Sequence, residues 1–211
     1  MIDDGSRDAT AAVARAGGAH AVELPFNVGV GGAVRTGLHF ARDRGYDRAV
    51  VIDADGQHDP GGISDLLDAL DHGADMVVGS RFADDPNTDK EAYKVGRTRR
   101  RAMRFLSLVV RALTGQRFTD TTSGFRALDR PVIELLAREY PVEYLADTVE
   151  ALLITLNAGF RVQEVPIAMR PRAAGTPSTR SIKLVLNYLR LLVGILSSAS
   201  RRARLRRKER G

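Results

Sequence analysis

The sequence predicts an α/β fold in which a mostly parallel sheet is covered by helices, and three observations carry that reading. Short apolar strings of strand length alternate with helical patterns of about 10–15 residues, the spacing of parallel strands joined by crossover helices. Two strand ends run into carboxylate-rich turns, the edge at which open α/β sheets bind ligands. A chain of 211 residues with 44% hydrophobic side chains is also long enough to bury a real core. That composition excludes disorder as the main state. With no Cys, disulfides, thiolate nucleophiles and sulfur-held metals are excluded, so any metal is held by oxygen or imidazole.

In chain order, Ile2-Asp3-Asp4-Gly5-Ser6 is an acidic turn after a first strand end, and residues 8–16 follow as a helix. Residues 19–24 read as a strand. The glycines of Asn27-Val28-Gly29-Val30-Gly31-Gly32 open a helix that runs to residue 44. Arg48-Ala49-Val50-Val51-Ile52 is a short buried strand, residues 61–71 a helix and Asp75-Met76-Val77-Val78-Gly79 another strand. After a polar loop at 84–87 comes a basic, apolar helix over 95–113. Thr121-Thr122-Ser123-Gly124-Phe125-Arg126-Ala127 reads as a small-residue turn carrying an aromatic and an arginine. A helix over 147–158 and a strand over 161–166 lead to a terminal helix over 182–196. That helix, ~22 Å long, is shorter than the ~20 apolar residues of a spanning segment, and Lys183, Asn187, Arg190 and Gly194 give it a polar stripe. Residues 201–211 hold seven Lys or Arg against one Glu, which accounts for the whole net charge of +6 and leaves the rest neutral. The polar, acidic N-terminus predicts no secretory signal.

The most informative string is Val50-Val51-Ile52-Asp53-Ala54-Asp55-Gly56-Gln57-His58-Asp59-Pro60. Side chains two apart on an extended segment point the same way, so Asp53 and Asp55 can face one cation. Hard oxygen donors with open positions suit Mg2+ or Mn2+ shared with substrate phosphates. Taken alone, the string is equally an Asx turn that ends the strand. The glycine string fits neither G-x-G-x-x-G nor a P-loop, because Val34 stands at the third glycine and no G-K-[ST] follows.

Together and in order, Asp3-Asp4-Gly5-Ser6 with Asp8 and Thr10, Asn27-x-Gly29, Asp53-x-Asp55-Gly56-Gln57-His58, Gly79-Ser80-Arg81-Phe82, Asp120-Thr121-Thr122-Ser123-Gly124-Phe125-Arg126 and Glu164-Val165-Pro166 resemble the family 2 glycosyltransferases of GT-A fold. The resemblance is to the branch that transfers sugars to dolichyl or polyprenyl phosphate. It implies an inverting hexosyl transfer from a nucleotide-sugar donor to a polyprenyl-phosphate acceptor. It places Asp3, Asp4, Asp53 and Gln57 around the donor, with Asp53, Asp55 and Gln57 holding Mg2+ or Mn2+. Asp55 and Arg81 are the implied catalytic pair, and Arg97, Arg99 and Arg126 are implied at the acceptor phosphate. A phosphate acceptor is already an oxyanion at neutral pH, with a second pKa of about 6, so no general base is required. His58, inside the ion-binding turn, is expected to position ligands rather than to act as a base. Without Trp, the chain lacks the Gln-x-x-Arg-Trp string of processive synthases.

The family opens with a strand and helix bearing Pro-x-Tyr/Phe-Asn-Glu before the acidic turn, whereas here that turn begins at residue 3. The expectation is an N-terminally truncated GT-A domain over 1–178 with a gap at the sheet centre, then a membrane-associating helix and polybasic tail over 179–211. An apolar helix face followed by cationic residues suits an anionic membrane surface, hence peripheral placement on the cytoplasmic face of the membrane, with room for a small membrane-protein partner. A core helix with a solvated tail is the alternative. Nucleic acid is not expected, because the body is neutral. An inactive GT-A-like binding protein and a transferase with a hydroxyl acceptor are the competing functions.

Overall fold

A computed structural model describes residues 1–83, 97–142 and 147–169. The terminal helix, the basic tail and the loop at 84–87 lie outside the described residues. Strands β1 (Ile2–Asp3) and β2 (Val22–Glu23) flank helix α1 (Thr10–Ala16), and α2 (Gly29–Asp43) follows. Then come β3 (Arg48–Val51), a single 3-10 turn (Pro60–Gly62), α3 (Ile63–Asp71) and β4 (Met76–Ser80). The second half holds α4 (Arg97–Thr114), β5 (Arg126–Asp129), α5 (Arg130–Glu139), α6 (Asp147–Asn157) and β6 (Val162–Pro166).

The strands form two ladders. β1 and β2 pair in parallel, Ile2 opposite Val22. The second ladder runs β3-β5-β4-β6: β5 is antiparallel to both β3 and β4, and β6 is parallel to β4. Three of its four strands therefore share one direction, as the α/β pattern predicts, and β5 runs against them from the middle. Among the described residues β3 has β5 as its only ladder partner.

β5 and α5 were not legible as an element pair, because Arg126-Ala127-Leu128-Asp129 is four residues with charges at both ends and no alternation. Burial explains its place: Arg126, Ala127 and Leu128 are at most 3% exposed. Asp129 then ends the strand and caps α5, accepting the Val132 N–H at 3.3 Å, with Pro131 in the first turn. Leu66 and Leu70 of α3 and Ala74 pack on Val77, Phe125, Ala127 and Ile167, a core beneath the ends of β4 and β5. The core lies against β4 and β5, whereas Ile52, Asp53 and Ala54 just past β3 are exposed.

Gly5 fixes the opening turn. Its φ is +73°, and a Cβ there would stand 2.9 Å from the Asn27 backbone N and the Phe26 carbonyl carbon. Gly5→Ala should therefore combine left-handed strain with a backbone clash. A loss of about 2 kcal/mol or more is expected, read as a lower urea midpoint with unchanged slope.

Candidate active site

Two residues past β3, the chain enters the carboxylate turn. Asp53 is half exposed, at 52% of its side chain. Asp55 Oδ1 accepts the Gln57 backbone N–H at 3.0 Å, closing the turn on itself. His58 lies beneath at 7% exposure, stacked on Phe125 with ring centroids 5.1 Å apart. Its Nδ1 is 3.4 Å from the Asp53 backbone N and 4.0 Å from the Asp53 carboxylate. Burial pushes the His58 pKa down, while the negative charges of Asp53 and Asp55 pull the other way. The turn at 121–124 lies close by, since a Cβ on Gly124 would meet the Asp53 carboxylate at 3.3 Å. A bulkier residue there would fill the space beside that carboxylate.

The end of β4 supplies the second half. Arg81 meets Asp120 through two parallel bonds, Nε to Oδ2 at 2.6 Å and Nη2 to Oδ1 at 2.8 Å. Its Nη2 also donates to Thr122 Oγ1 at 2.9 Å. The pair is nearly dry, with side-chain exposures of 8% and 0%. Burial raises the Asp120 carboxyl, but the bonds and charge of Arg81 outweigh it and hold the group below its ordinary value of 3.8. The 120–124 turn links the two strand ends, since Asp120 and Thr122 hold Arg81 while Gly124 borders the Asp53 carboxylate.

Glu164 of β6 holds this arrangement from behind. Its carboxylate accepts the Thr119 N–H at 2.7 Å and the Asp120 N–H at 2.7 Å. Ser80 and Thr119 hydroxyls meet at 2.6 Å, and Ser80 Oγ accepts the N–H groups of Phe82 and Ala83. Burial raises the Glu164 carboxyl, opposed by the Thr119 and Asp120 N–H bonds. The sequence singled out the Glu164 motif without giving it this role, and it missed the Asp120 partnership. Only the contiguity of Asp120 with the Thr-Thr-Ser-Gly turn hinted at it.

The acidic opening turn is organised internally. Asp3 is 5% exposed and accepts from the Ser6 backbone at 3.1 Å and from the Ser6 hydroxyl. Asp4 accepts the Val28 and Gly29 N–H groups at 2.7 and 2.9 Å, at the start of α2. The first two motifs are thereby tied to each other. Val30 and Val34 of α2 line a small pocket with Asp53, Gly124, Tyr140, Asp147 and Thr148, which brings the opening segment to the Asp53 edge.

Arg126, expected at the acceptor phosphate, lies inside the fold. Its side chain is not at the surface: it donates from Nε to the Ser123 carbonyl at 2.9 Å and from Nη2 to the Thr121 carbonyl at 3.4 Å. Nη1 has no hydrogen-bond partner. Burial lowers its pKa, opposed by Tyr140 and by Asp147, whose own carboxyl burial raises. With 3% exposure and two carbonyl partners, it holds the 121–123 turn from inside. Arg97 and Arg99 fall in the first turn of α4, and their side chains lie outside the described residues.

The residues that could hold a divalent ion here are Asp53, Asp55 and Gln57 of the turn after β3. Among the described residues no three His, Asp or Glu gather into a closed cage. Such a set fits a hard cation that shares its remaining positions with phosphate and water.

A sequence model of the family described as Glycosyl transferase family 2 matches residues 1–136. The chain is 34% identical over 188 residues to a polyprenol monophosphomannose synthase of Mycolicibacterium smegmatis, covering 83% of this chain and 67% of that protein. It is 32% identical over 179 residues to a UDP-N-acetylglucosamine–dolichyl-phosphate N-acetylglucosaminyltransferase of Methanococcus voltae, covering 82% and 70%. Among solved structures, glucosyl-3-phosphoglycerate synthase of Mycobacterium tuberculosis in complex with Mn2+ and UDP-glucose superposes with a TM-score of 0.66 at 22% identity. That likeness is one of fold, GT-A, and covers 93% of this chain but 66% of the other, so the chain spans about two thirds of that protein's length.

The Arg81–Asp120 pair yields a pH test. The folded Asp120 pKa lies below the unfolded one, so its stabilisation is complete above the ordinary carboxylate value and is lost as pH falls through the depressed folded value. Asp120→Asn should cost about 3–5 kcal/mol at neutral pH by leaving Arg81 buried without its counter-charge. Acidification to about pH 2 should then remove less further stability than in the wild type. Urea midpoints across that range check both.

Proposed function

Because this chain belongs to glycosyl transferase family 2, we propose that it moves a sugar from a nucleotide-sugar donor to a polyprenyl phosphate, with inversion, at the cytoplasmic face of a membrane. The observation that carries the reading is the 120–124 turn, which clamps Arg81 through Asp120 and Thr122 and borders the Asp53 carboxylate at Gly124, beside relatives named for polyprenol and dolichyl-phosphate acceptors. Asp53, Asp55 and Gln57 would hold Mg2+ or Mn2+. When bound, such an ion offsets the charge that develops on a departing nucleoside diphosphate.

The remaining work falls to the chain's own groups. His58, stacked on Phe125, supports the Asp53 backbone from below and so fixes the carboxylate pair. Asp3 and Asp4, bonded within the opening turn and to the start of α2, set the wall that a nucleoside would meet. Arg81 is the acceptor-phosphate group: a guanidinium held in one orientation by Asp120 and Thr122 fixes the direction from which a phosphate oxygen approaches. The attacking phosphate oxygen is already ionised at neutral pH, so the buried His58 has no proton to remove.

Asp55→Asn tests the ion. Asparagine keeps an oxygen for the Gln57 N–H, so the turn should persist, while turnover falls by about a hundredfold or more. The Mn2+-dependent rise in melting temperature with the cognate nucleotide sugar should vanish as well. Full turnover in EDTA would overturn the assignment. Arg81→Lys keeps a charge but loses the planar fork. It should raise the acceptor KM by about tenfold and leave the donor-induced melting shift in place. An unaltered acceptor KM would remove Arg81 from the acceptor site.

A further inference from the structure

Phe82 follows Arg81 directly, and the two side chains meet: the guanidinium carbon lies 5.6 Å from the centre of the ring. The backbone that carries the ring is fixed. Ser80 Oγ accepts the N–H of Phe82 at 3.1 Å and that of Ala83 at 3.0 Å, and the Ser80 hydroxyl meets Thr119 Oγ1 at 2.6 Å. The Thr119 N–H rests on Glu164, whose carboxylate also takes the Asp120 N–H. One carboxylate thereby sets both the acid that clamps Arg81 and the ring beside it. The Phe82 residue is partly open to solvent, whereas Phe125, stacked on His58 at this edge, is 1% exposed and belongs to the core. An aromatic ring held against a guanidinium places an apolar surface one residue from the charge.

We propose that Phe82 selects the acceptor: its ring receives the first carbons of a phosphate ester bound at Arg81 and favours an isoprenyl chain over a polar one. The proposal rests on the reading of Arg81 as the acceptor-phosphate group and deepens it. A phosphate monoester carries its organic group on one of its own oxygens, so the group begins beside whatever holds the phosphate. At Arg81 that neighbourhood is nearly dry, since the side chain is 8% exposed. The start of the chain therefore leaves water next to the Phe82 ring. Isoprenyl carbons gain from that transfer. Hydroxyl groups at the same place lose their water and meet a ring where they need hydrogen-bond partners. Attraction between the guanidinium and the ring face holds the ring at this position. The selection acts on the chemistry of the first carbons, not on the length of the chain.

The test uses the full-length chain and two water-soluble phosphate monoesters, geranyl phosphate and glycerol phosphate. The donor is whichever of a panel of UDP- and GDP-sugars gives the largest Mn2+-dependent rise in melting temperature. In Phe82→Ser, the ratio of kcat/KM for geranyl phosphate to that for glycerol phosphate should fall by about tenfold or more. Most of that fall should lie in the KM for geranyl phosphate, and the donor-induced melting shift should persist. Phe82→Leu, which keeps an apolar side chain, should retain most of the wild-type ratio. A purely structural ring would instead move both acceptors alike, so an unchanged ratio in Phe82→Ser overturns the proposal. A ratio as low in Phe82→Leu as in Phe82→Ser would assign the effect to the contact with Arg81 and overturn it too. Transfer by the wild type to neither phosphate, with turnover on a hydroxyl acceptor, would remove the phosphate-acceptor reading itself and this selection with it.

Discussion

The site is built around one constraint, the burial of the Arg81–Asp120 pair at 8% and 0% side-chain exposure. A guanidinium cannot sit there alone, because the desolvation of either ion costs several kcal/mol on the order expected for buried charges. Asp120 must therefore be held to within bonding distance of both Nε and Nη2. It lies in no strand, so its own backbone needs fixing from elsewhere. Glu164, in the middle of β6 opposite Val78, does this by accepting the Thr119 and Asp120 N–H groups. The parallel pairing of β6 with β4 sets Glu164 and Arg81 at the same end of the sheet. Strand register, a backbone-binding carboxylate and a buried ion pair form a single chain of dependence from the fold to the edge of the site.

A second arrangement uses the backbone itself as counter-charge. Asp4 places both oxygens on the N–H groups of Val28 and Gly29, where a helix start has unsatisfied donors. This explains why the glycine string need not match a phosphate-binding fingerprint: its amides are engaged by a carboxylate of the chain. Gly5 permits the contact by letting the opening turn run against Phe26 and Asn27 with no side chain between. The carboxylates that look most like free ligands in the sequence are thus of two kinds. Asp3 and Asp4 are bonded into a turn, while the Asp53 side chain is half exposed at the strand edge.

Local patterns were legible and long-range partners were not. The strand at β3, the fully buried Met76–Ser80 strand and the helices α2, α3 and α6 appear where apolar spacing puts them, with ends displaced by a few residues. The ligand-bearing edge was visible because a hydrophobic run that stops at Asp-x-Asp is a local signal. β5 was hidden by its charged ends, although Asp129 before Arg130-Pro131, followed by Val132, Ile133, Leu136 and Ala137 at helical spacing, is a capping and periodicity signal that announces α5. The burial of Arg126 could not be read, since an arginine beside an aromatic in a small-residue turn looks exposed. Its enclosure comes from β5 lying between β3 and β4. Glu164 and Asp120 are 44 residues apart, and only the sheet register joins them.

The charge balance of the assembled edge bears on the cation proposed for it. Arg81 is matched by Asp120, so that pair contributes almost no net field to its surroundings. Glu164 is satisfied by backbone N–H groups, which carry no full charge. The half-exposed carboxylate at this edge is that of Asp53, while Asp55 accepts the Gln57 N–H within the turn. A nucleoside diphosphate approaching such an edge meets like charge, and at separations of about 4 Å that repulsion is on the order of several kcal/mol in a partly buried setting. With the proposed divalent cation between them, the two carboxylates would turn attractive toward the diphosphate. Arg81 cannot substitute for that cation, because its positive charge is already balanced by a buried acid. Its bonds with Asp120 hold it in one direction instead, which is consistent with the acceptor-phosphate role proposed for it.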